Sequence, residues 1–176
     1  KIFPLKNHMI DFHIIKTYYW FNILSSYMDL ADTKFVAEIG AGNGNFMSLL
    51  KYHSKTKWII NIDLPETLVP CIAYLTYVFP SSKILFPNEV DKKINKEILT
   101  NCDFVFLTPS QIQLLDDNII DLFINTGSFG EMNISQIREY FELVQRCAKN
   151  NSFFFNVNRV EKIPHGGEKN NNFKNI

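Results

Sequence analysis

The chain has 176 residues, of which 46% are hydrophobic, 20% charged and 14% aromatic. That is one domain's length with enough apolar mass for a core, and it excludes a disordered tail, a collagen-like repeat and a coiled coil. Eighteen basic residues balance eighteen acidic ones, giving a formal net charge of +0, so nothing in the total asks for a nucleic-acid backbone as partner.

The longest uncharged runs, residues 17–28 and 67–82, are shorter than the roughly 18–20 residues that span a bilayer. No membrane partner is expected. The first residues, Lys1-Ile2-Phe3-Pro4, lack a signal peptide's apolar stretch, and the absence of a starting Met is consistent with an excerpt. Three widely spaced cysteines, Cys71, Cys102 and Cys147, read as buried thiols of a reducing cytoplasm rather than a disulfide framework or a metal site.

In chain order, residues 9–30 are dense in aromatic and aliphatic side chains without Gly or Pro, which predicts a largely buried helix. Residues 34–39 (K-F-V-A-E-I) predict a buried parallel strand, residues 40–44 a loop and residues 45–52 a short helix. Residues 57–62 (K-W-I-I-N-I) predict a second strand ending at Asp63. A helix follows over 65–79, with Pro65 suited to its first turn and Pro70 awkward inside it. Residues 83–86 form a short extra strand, 91–99 a charged helix, 103–107 a third main strand, 111–115 one helical turn and 120–125 a fourth strand. Residues 133–148 are a helix with Ile134, Ile137, Phe141, Val144 and Ala148 on one face and an Asn133/Gln136 capping pair. Residues 152–157 are a fifth strand, and the polar tail from Glu161 is a loop or disordered. Strands alternating with helices make this an α/β chain with a mainly parallel sheet.

The densest chemical signal is Glu38-Ile39-Gly40-Ala41-Gly42-Asn43-Gly44, between a strand and a helix. Glycines let the backbone approach a ligand, and the helix behind presents free N–H groups. Asp63 ends the next strand about twenty positions on, where a carboxylate reaches the hydroxyls of a ribose. A dinucleotide loop would place its third glycine at position 45, which is Asn45; here it is Gly44. Glu38, two residues before the first glycine, suits a cationic amino-acid ligand and would repel a pyrophosphate.

With these residues the chain resembles class I S-adenosylmethionine-dependent methyltransferases. The resemblance implies that the E-x-G-x-G-x-G segment lies against the methionine part of the cofactor S-adenosyl-L-methionine and that Asp63 holds its ribose. A narrower likeness rests on Asn61-Ile62-Asp63-Leu64-Pro65-Glu66-Thr67-Leu68, on residues 121–132 with Asn125-Thr126-Gly127-Ser128-Phe129-Gly130-Glu131-Met132, and on Asn156-Val157-Asn158-Arg159. Together they resemble the bacterial sugar O-methyltransferases over roughly residues 10–165. That resemblance implies a Rossmann-like fold with strand order 3-2-1-4-5, methyl transfer to a sugar hydroxyl and a small-molecule partner, and it leaves room for a homo-oligomer. It also implies two C-terminal antiparallel edge strands that this sequence lacks, so the tail over 161–176 reads as truncated. The expected organisation is a helical segment over 1–33 packed on or covering the site, then a cofactor-binding domain over 34–160.

The cofactor-binding set expected from this reading is Glu38, Gly40, Ala41, Gly42, Gly44, Asp63, Leu64, Thr108 and Asn125. Leu64 lies beside the adenine or in the core. Thr108 lies at the adenine edge or only in a turn. Asp63 holds ribose, caps the following helix, or does both. Asn125 to Glu131 follow the fourth strand at the carboxyl end of the sheet, where open α/β folds bind ligands. Ser128 and Asn158 are candidate substrate contacts, with Asn156 and Arg159 beside them. Glu131 is the preferred proton acceptor or ligand of the acceptor hydroxyl, the alternative being a helix cap, and His165 is the second candidate. His8, His13 and His53 look non-catalytic by position, although His13 reaches the cleft if the first helix is a lid. Asp116-Asp117 lack a third ligand at metal spacing, and no metal is expected. The competing readings are another small-metabolite O- or N-methyltransferase, a methyltransferase-like binding domain without catalysis and, with the poorest loop spacing, a nicotinamide dehydrogenase.

Overall fold

A computed structural model of the chain describes residues 2–5, 8–54, 56 and 58–159. Two short strands, β1 (Ile2–Leu5) and β2 (His8–Asp11), pair antiparallel ahead of helix α1 (Phe12–Tyr27). Alternating units follow: strand β3 (Phe35–Ile39), helix α2 (Asn45–His53), strand β4 (Trp58–Ile62), helix α3 (Pro65–Val78), strand β5 (Ile84–Leu85) and short helix α4 (Lys96–Thr100). Strand β6 (Phe104–Leu107), strand β7 (Ile120–Thr126), helix α5 (Ile134–Cys147) and strand β8 (Ala148–Val157) complete the described chain.

The six-stranded sheet has the order β5-β6-β4-β3-β7-β8, and every pair in it is parallel. The order expected for the five main strands, 3-2-1-4-5, is the order found, with β5 added outside β6. β3 lies at the centre and is buried along its whole length. Its alternate residues feed two cores. Ala37 and Ile39 join Ile60, Ile62, Leu107 and Phe123 under α5, and Val36 joins Ile59, Phe106 and Ile124 under α2 and α3. A sheet covered on both faces explains why these strands read as unbroken apolar runs.

Five expectations are corrected. The 9–30 segment is a helix only from Phe12, because β2 occupies the residues before it. Asp11 starts the helix by accepting the backbone N–H of His13 at 2.7 Å. The helix is also not largely buried. Thr17, Phe21 and Leu24 are covered, while Tyr19 is 62% exposed and Phe12, Ile14, Ile15 and Tyr18 are exposed as well. Its sequence is apolar all round, so composition could not show that only one stripe meets the sheet layer.

The charged 91–99 segment is helical only over Lys96–Thr100. Asn95 caps that turn by accepting the Ile98 N–H, and Ile94 is held extended by donating to the Leu114 carbonyl and accepting from Asp116. On α5 the fully buried positions are Ile137, Tyr140, Leu143 and Cys147, while Ile134 is exposed at the first turn. The Asn133/Gln136 capping pair forms as expected. Finally, Cys71 and Cys147 are buried thiols but Cys102 is half-buried. Among the described residues no helix is long and apolar enough to cross a membrane.

Candidate functional site

The carboxyl ends of β3, β4, β6 and β7 form one edge of the sheet, and the motif residues collect there. Gly40, just after β3, donates its N–H to the Ile62 carbonyl at 2.8 Å and has φ +77°. A Cβ at this position would lie 2.2 Å from Ser128 Oγ, so only glycine fits. Gly42, also at positive φ, has nothing within 4 Å of where its Cβ would be. The loop is therefore packed hard from behind at Gly40 and open in front at Gly42.

Asn125 and Ser128 supply the packing from behind. Asn125 is 0% exposed, and its amide donates to the Ile39 carbonyl at 2.8 Å and to Ser128 Oγ. Ser128 Oγ in turn donates to the same carbonyl at 3.2 Å. Asn158 donates to Asn125 Oδ1 at 2.6 Å and also to Asn156 Oδ1. Three side chains expected to face cofactor or acceptor thus form a polar buttress that fixes the last carbonyl of β3. The arrangement has a simple cause: Gly40 leaves space that Ser128 fills, and the Ile39 carbonyl needs a partner.

Glu38, one turn of the pleat before the loop, is 2% exposed and lies in register with the fully buried Asn61 of β4. Glu38 Oε2 and Asn61 Nδ2 both lack a hydrogen-bond partner. Burial, and then the nearby charge of Asp63, hold the Glu38 carboxyl well above the ordinary carboxylate range. Burial, followed by the Glu38 and Asp63 charges, likewise drives the Cys71 thiol strongly up, so it is no nucleophile. A buried carboxyl with an unpartnered oxygen at a loop edge is poised for a cationic group.

Asp63 ends β4 half-exposed. Its two oxygens accept the N–H of Gly42 and the N–H of Leu64, each at 2.8 Å. The residue at the N-cap of α3 is Leu64, with no side-chain bond, so the alternative that Asp63 caps this helix falls away. Leu64 is 49% exposed beside it. Thr108 follows β6 and opens a 3-10 turn, Pro109–Leu114, in which its N–H and hydroxyl both meet Gln111 Oε1. Asp63, Leu64 and Thr108 therefore line neighbouring strand ends, on the side of the loop away from β7.

A cavity of about 300 Å³ lies over the glycine loop. One wall is α1, through His13, Lys16, Thr17 and Trp20; the other holds Glu38, Gly40, Ala41, Gly42 and Thr126. Residues 13, 16, 17 and 20 share one face of the helix. His13, expected to reach the cleft only if the first helix is a lid, lines this cavity together with the loop. Lys16 and Trp20 were missed, although a signal existed: Lys16 is the one formally charged residue of the helix and shares a face with His13, Thr17 and Trp20. A larger groove of about 930 Å³ lies between the far ends of α1 and α2, at the opposite edge of the sheet from the motif.

Glu131 ends a 3-10 turn, Ser128–Glu131, and is exposed outside the cavity lining. It does not cap α5, since Asn133 does. His165 lies outside the described residues. His53 stands at the far end of α2 against Phe21. Asp117 pairs with Arg146 at 2.7 Å and Asp116 with Lys93 at 3.5 Å, which accounts for this acidic doublet. Among the described residues no cluster of three His, Cys, Asp or Glu is arranged to hold a metal.

No protein-family model and no curated protein matches this chain. Solved structures do. A protein from Pyrococcus horikoshii superposes with a TM-score of 0.63 at 15% identity, over 84% of this chain and 58% of its own. Mitomycin 7-O-methyltransferase superposes at 0.57 with 10% identity, over 87% and 39%. Phosphoethanolamine N-methyltransferase 1 from Haemonchus contortus, solved with phosphoethanolamine and S-adenosylhomocysteine, superposes at 0.50 with 17% identity, over 74% and 23%. The chain thus spans between 23% and 58% of the length of these structures. At such identities the likeness establishes the fold: an open, parallel, Rossmann-like sheet of the class I methyltransferase type.

Proposed function

We propose that this chain binds S-adenosyl-L-methionine and transfers its methyl group to a small molecule, with a sugar hydroxyl as the acceptor. The observation that carries the reading is Glu38: a buried carboxyl with an unpartnered oxygen, at the cavity edge formed by an E-x-G-x-G-x-G loop. That donor set fits a cationic amino-acid end and does not fit a pyrophosphate. When bound, the cofactor supplies a sulfonium-activated methyl that an acceptor oxygen takes in line, with loss of the hydroxyl proton.

The chain's own residues divide the work by position. Glu38 faces the ligand's amino group, and the open side of Gly42 admits its backbone. Asp63 keeps lone pairs free beyond its two backbone bonds and accepts the ribose hydroxyls. Leu64 and Thr108 flank the adenine. Asn125 and Ser128 act one layer back, fixing the carbonyl from which the loop departs, and Asn158 steadies Asn125. Glu131 is the proton acceptor or acceptor ligand on the β7 side. His13, which does line the cavity, is the competing base, and His165 stays a candidate from the tail. The enzyme works in the cytoplasm.

Titration calorimetry tests the cofactor reading directly. S-adenosylhomocysteine binds and NAD does not bind comparably; tighter NAD binding overturns the assignment. Screening O- and N-acceptors with the labelled methyl donor then tests the sugar.

A further inference from the structure

We infer that Lys16 is the partner of the ligand's α-carboxylate, so that Lys16 and Glu38 form a two-sided clamp for a zwitterionic amino-acid end. This rests on the cofactor reading above and assigns a residue that reading leaves unused.

Lys16 is the one formally charged residue of α1 and stands half-buried on its cavity face. Among the described residues no carboxylate pairs with it. Its ammonium lies 4.6 Å from the ring centroid of Trp20, which lines the same cavity. A cation–π contact fixes the direction of an ammonium without neutralising it. Three other described lysines, Lys51, Lys93 and Lys149, each face an aspartate.

The opposite wall carries the complementary group. Glu38 brings a carboxyl from β3, and its Oε2 has no partner. An ammonium on the helix wall and a carboxyl on the sheet wall match an α-amino acid, whose own ammonium and carboxylate sit on one carbon. The volume, about 300 Å³, is at the small end of ligand pockets, which run from about 300 to 1,000 Å³. The lining also stops short of Asp63, Leu64 and Thr108. The cavity is therefore the amino-acid half of the site, and the nucleoside half lies along the open strand ends. α1 thereby becomes a binding element as well as a cover.

The test compares two ligands with the same nucleoside. S-adenosylhomocysteine carries the amino-acid end; 5′-methylthioadenosine lacks it. Calorimetry is run on the unmodified protein, Lys16→Gln and Lys16→Arg, with thermal melting to confirm that each is folded. A charge-assisted contact of about 1.5–3 kcal/mol corresponds to roughly a tenfold to hundredfold loss. Lys16→Gln weakens S-adenosylhomocysteine by that factor and leaves 5′-methylthioadenosine unchanged, while Lys16→Arg restores most of the difference. Equal S-adenosylhomocysteine affinity in Lys16→Gln and the unmodified protein overturns the clamp and leaves Lys16 to an anionic acceptor. A parallel loss of both ligands overturns it in favour of helix placement. Failure of the unmodified protein to bind either ligand rejects the cofactor reading itself.

Discussion

The carboxylate of Asp63 accepts the backbone N–H of Gly42 at 2.8 Å, across 21 positions of sequence. The acid that ends β4 is thus tied to the tip of the loop that follows β3. Asp63→Ala loosens this tie and, on the proposed function, removes the ribose acceptor as well. The expected loss of S-adenosylhomocysteine affinity is tenfold or more, since each charge-assisted bond contributes about 1.5–3 kcal/mol. Glu66→Ala, on the exposed first turn of α3, changes affinity little. Calorimetry on both variants checks this, and equal losses would mean the ribose is held elsewhere.

Glu38 stabilises binding at the expense of the unliganded fold. Its folded-state pKa is raised by burial and by Asp63. Such an acid leaves stability undiminished below its unfolded pKa of about 4.3, and stability declines as pH rises from there toward the folded value. Glu38→Gln removes the titration. The variant should melt higher than the unmodified protein at pH 8, with the gap narrowing toward pH 4.5, and should bind S-adenosylhomocysteine at least tenfold more weakly. A gap that widens on acidification would contradict the sign.

Gly40 and Gly42 separate packing from binding. Gly40→Ala drives a methyl group into Ser128 at a backbone φ of +77° and should cost about 1–3 kcal/mol in thermal or urea unfolding. Gly42→Ala meets only open space, so its stability cost is about the 1–2 kcal/mol of a left-handed residue or less. On the proposed function its methyl group occupies the open side that admits the ligand. The expected pattern is a lower melting point for Gly40→Ala and a disproportionate loss of ligand affinity for Gly42→Ala.

Much of this edge was legible beforehand, and the misses share one cause. β3, β4, β6 and β7 were recognisable because strands buried on both faces are uniformly apolar, and the loop because its glycines sit between Glu38 and Asp63. Asn125, Ser128 and Asn158 lie at the expected strand ends, and the hydrogen bonds they make there go to the Ile39 carbonyl and to one another, which the sequence does not reveal. A polar residue at a strand end serves a ligand or a stranded carbonyl equally well, and only Gly40's missing Cβ, read together with Ser128, decides between them. For α1, apolar residues on every side hid the stripe that meets the loop.

Glu131 and Asn133 offer a paired test of catalysis against capping. Asn133→Ala should cost about 1 kcal/mol, because it removes the side-chain acceptor for the Gln136 N–H. Glu131→Gln should leave both melting point and S-adenosylhomocysteine affinity near those of the unmodified protein. Once an acceptor is identified, it should lower turnover by about 10²–10⁴-fold if Glu131 takes the proton. Unchanged turnover in Glu131→Gln with a collapse in His13→Asn would move that role to α1.

The buttress behind the loop also sets an order of events at the ribosome. Ile39 waits for Asn125 and Ser128 across 86 and 89 positions of chain. At about 5–20 residues per second, that is roughly 4–17 s of synthesis during which β3 lacks its β7 neighbour and the loop lacks its rear support. Nascent chains stopped before residue 125 would carry the whole glycine motif and still be unable to hold it in a binding geometry.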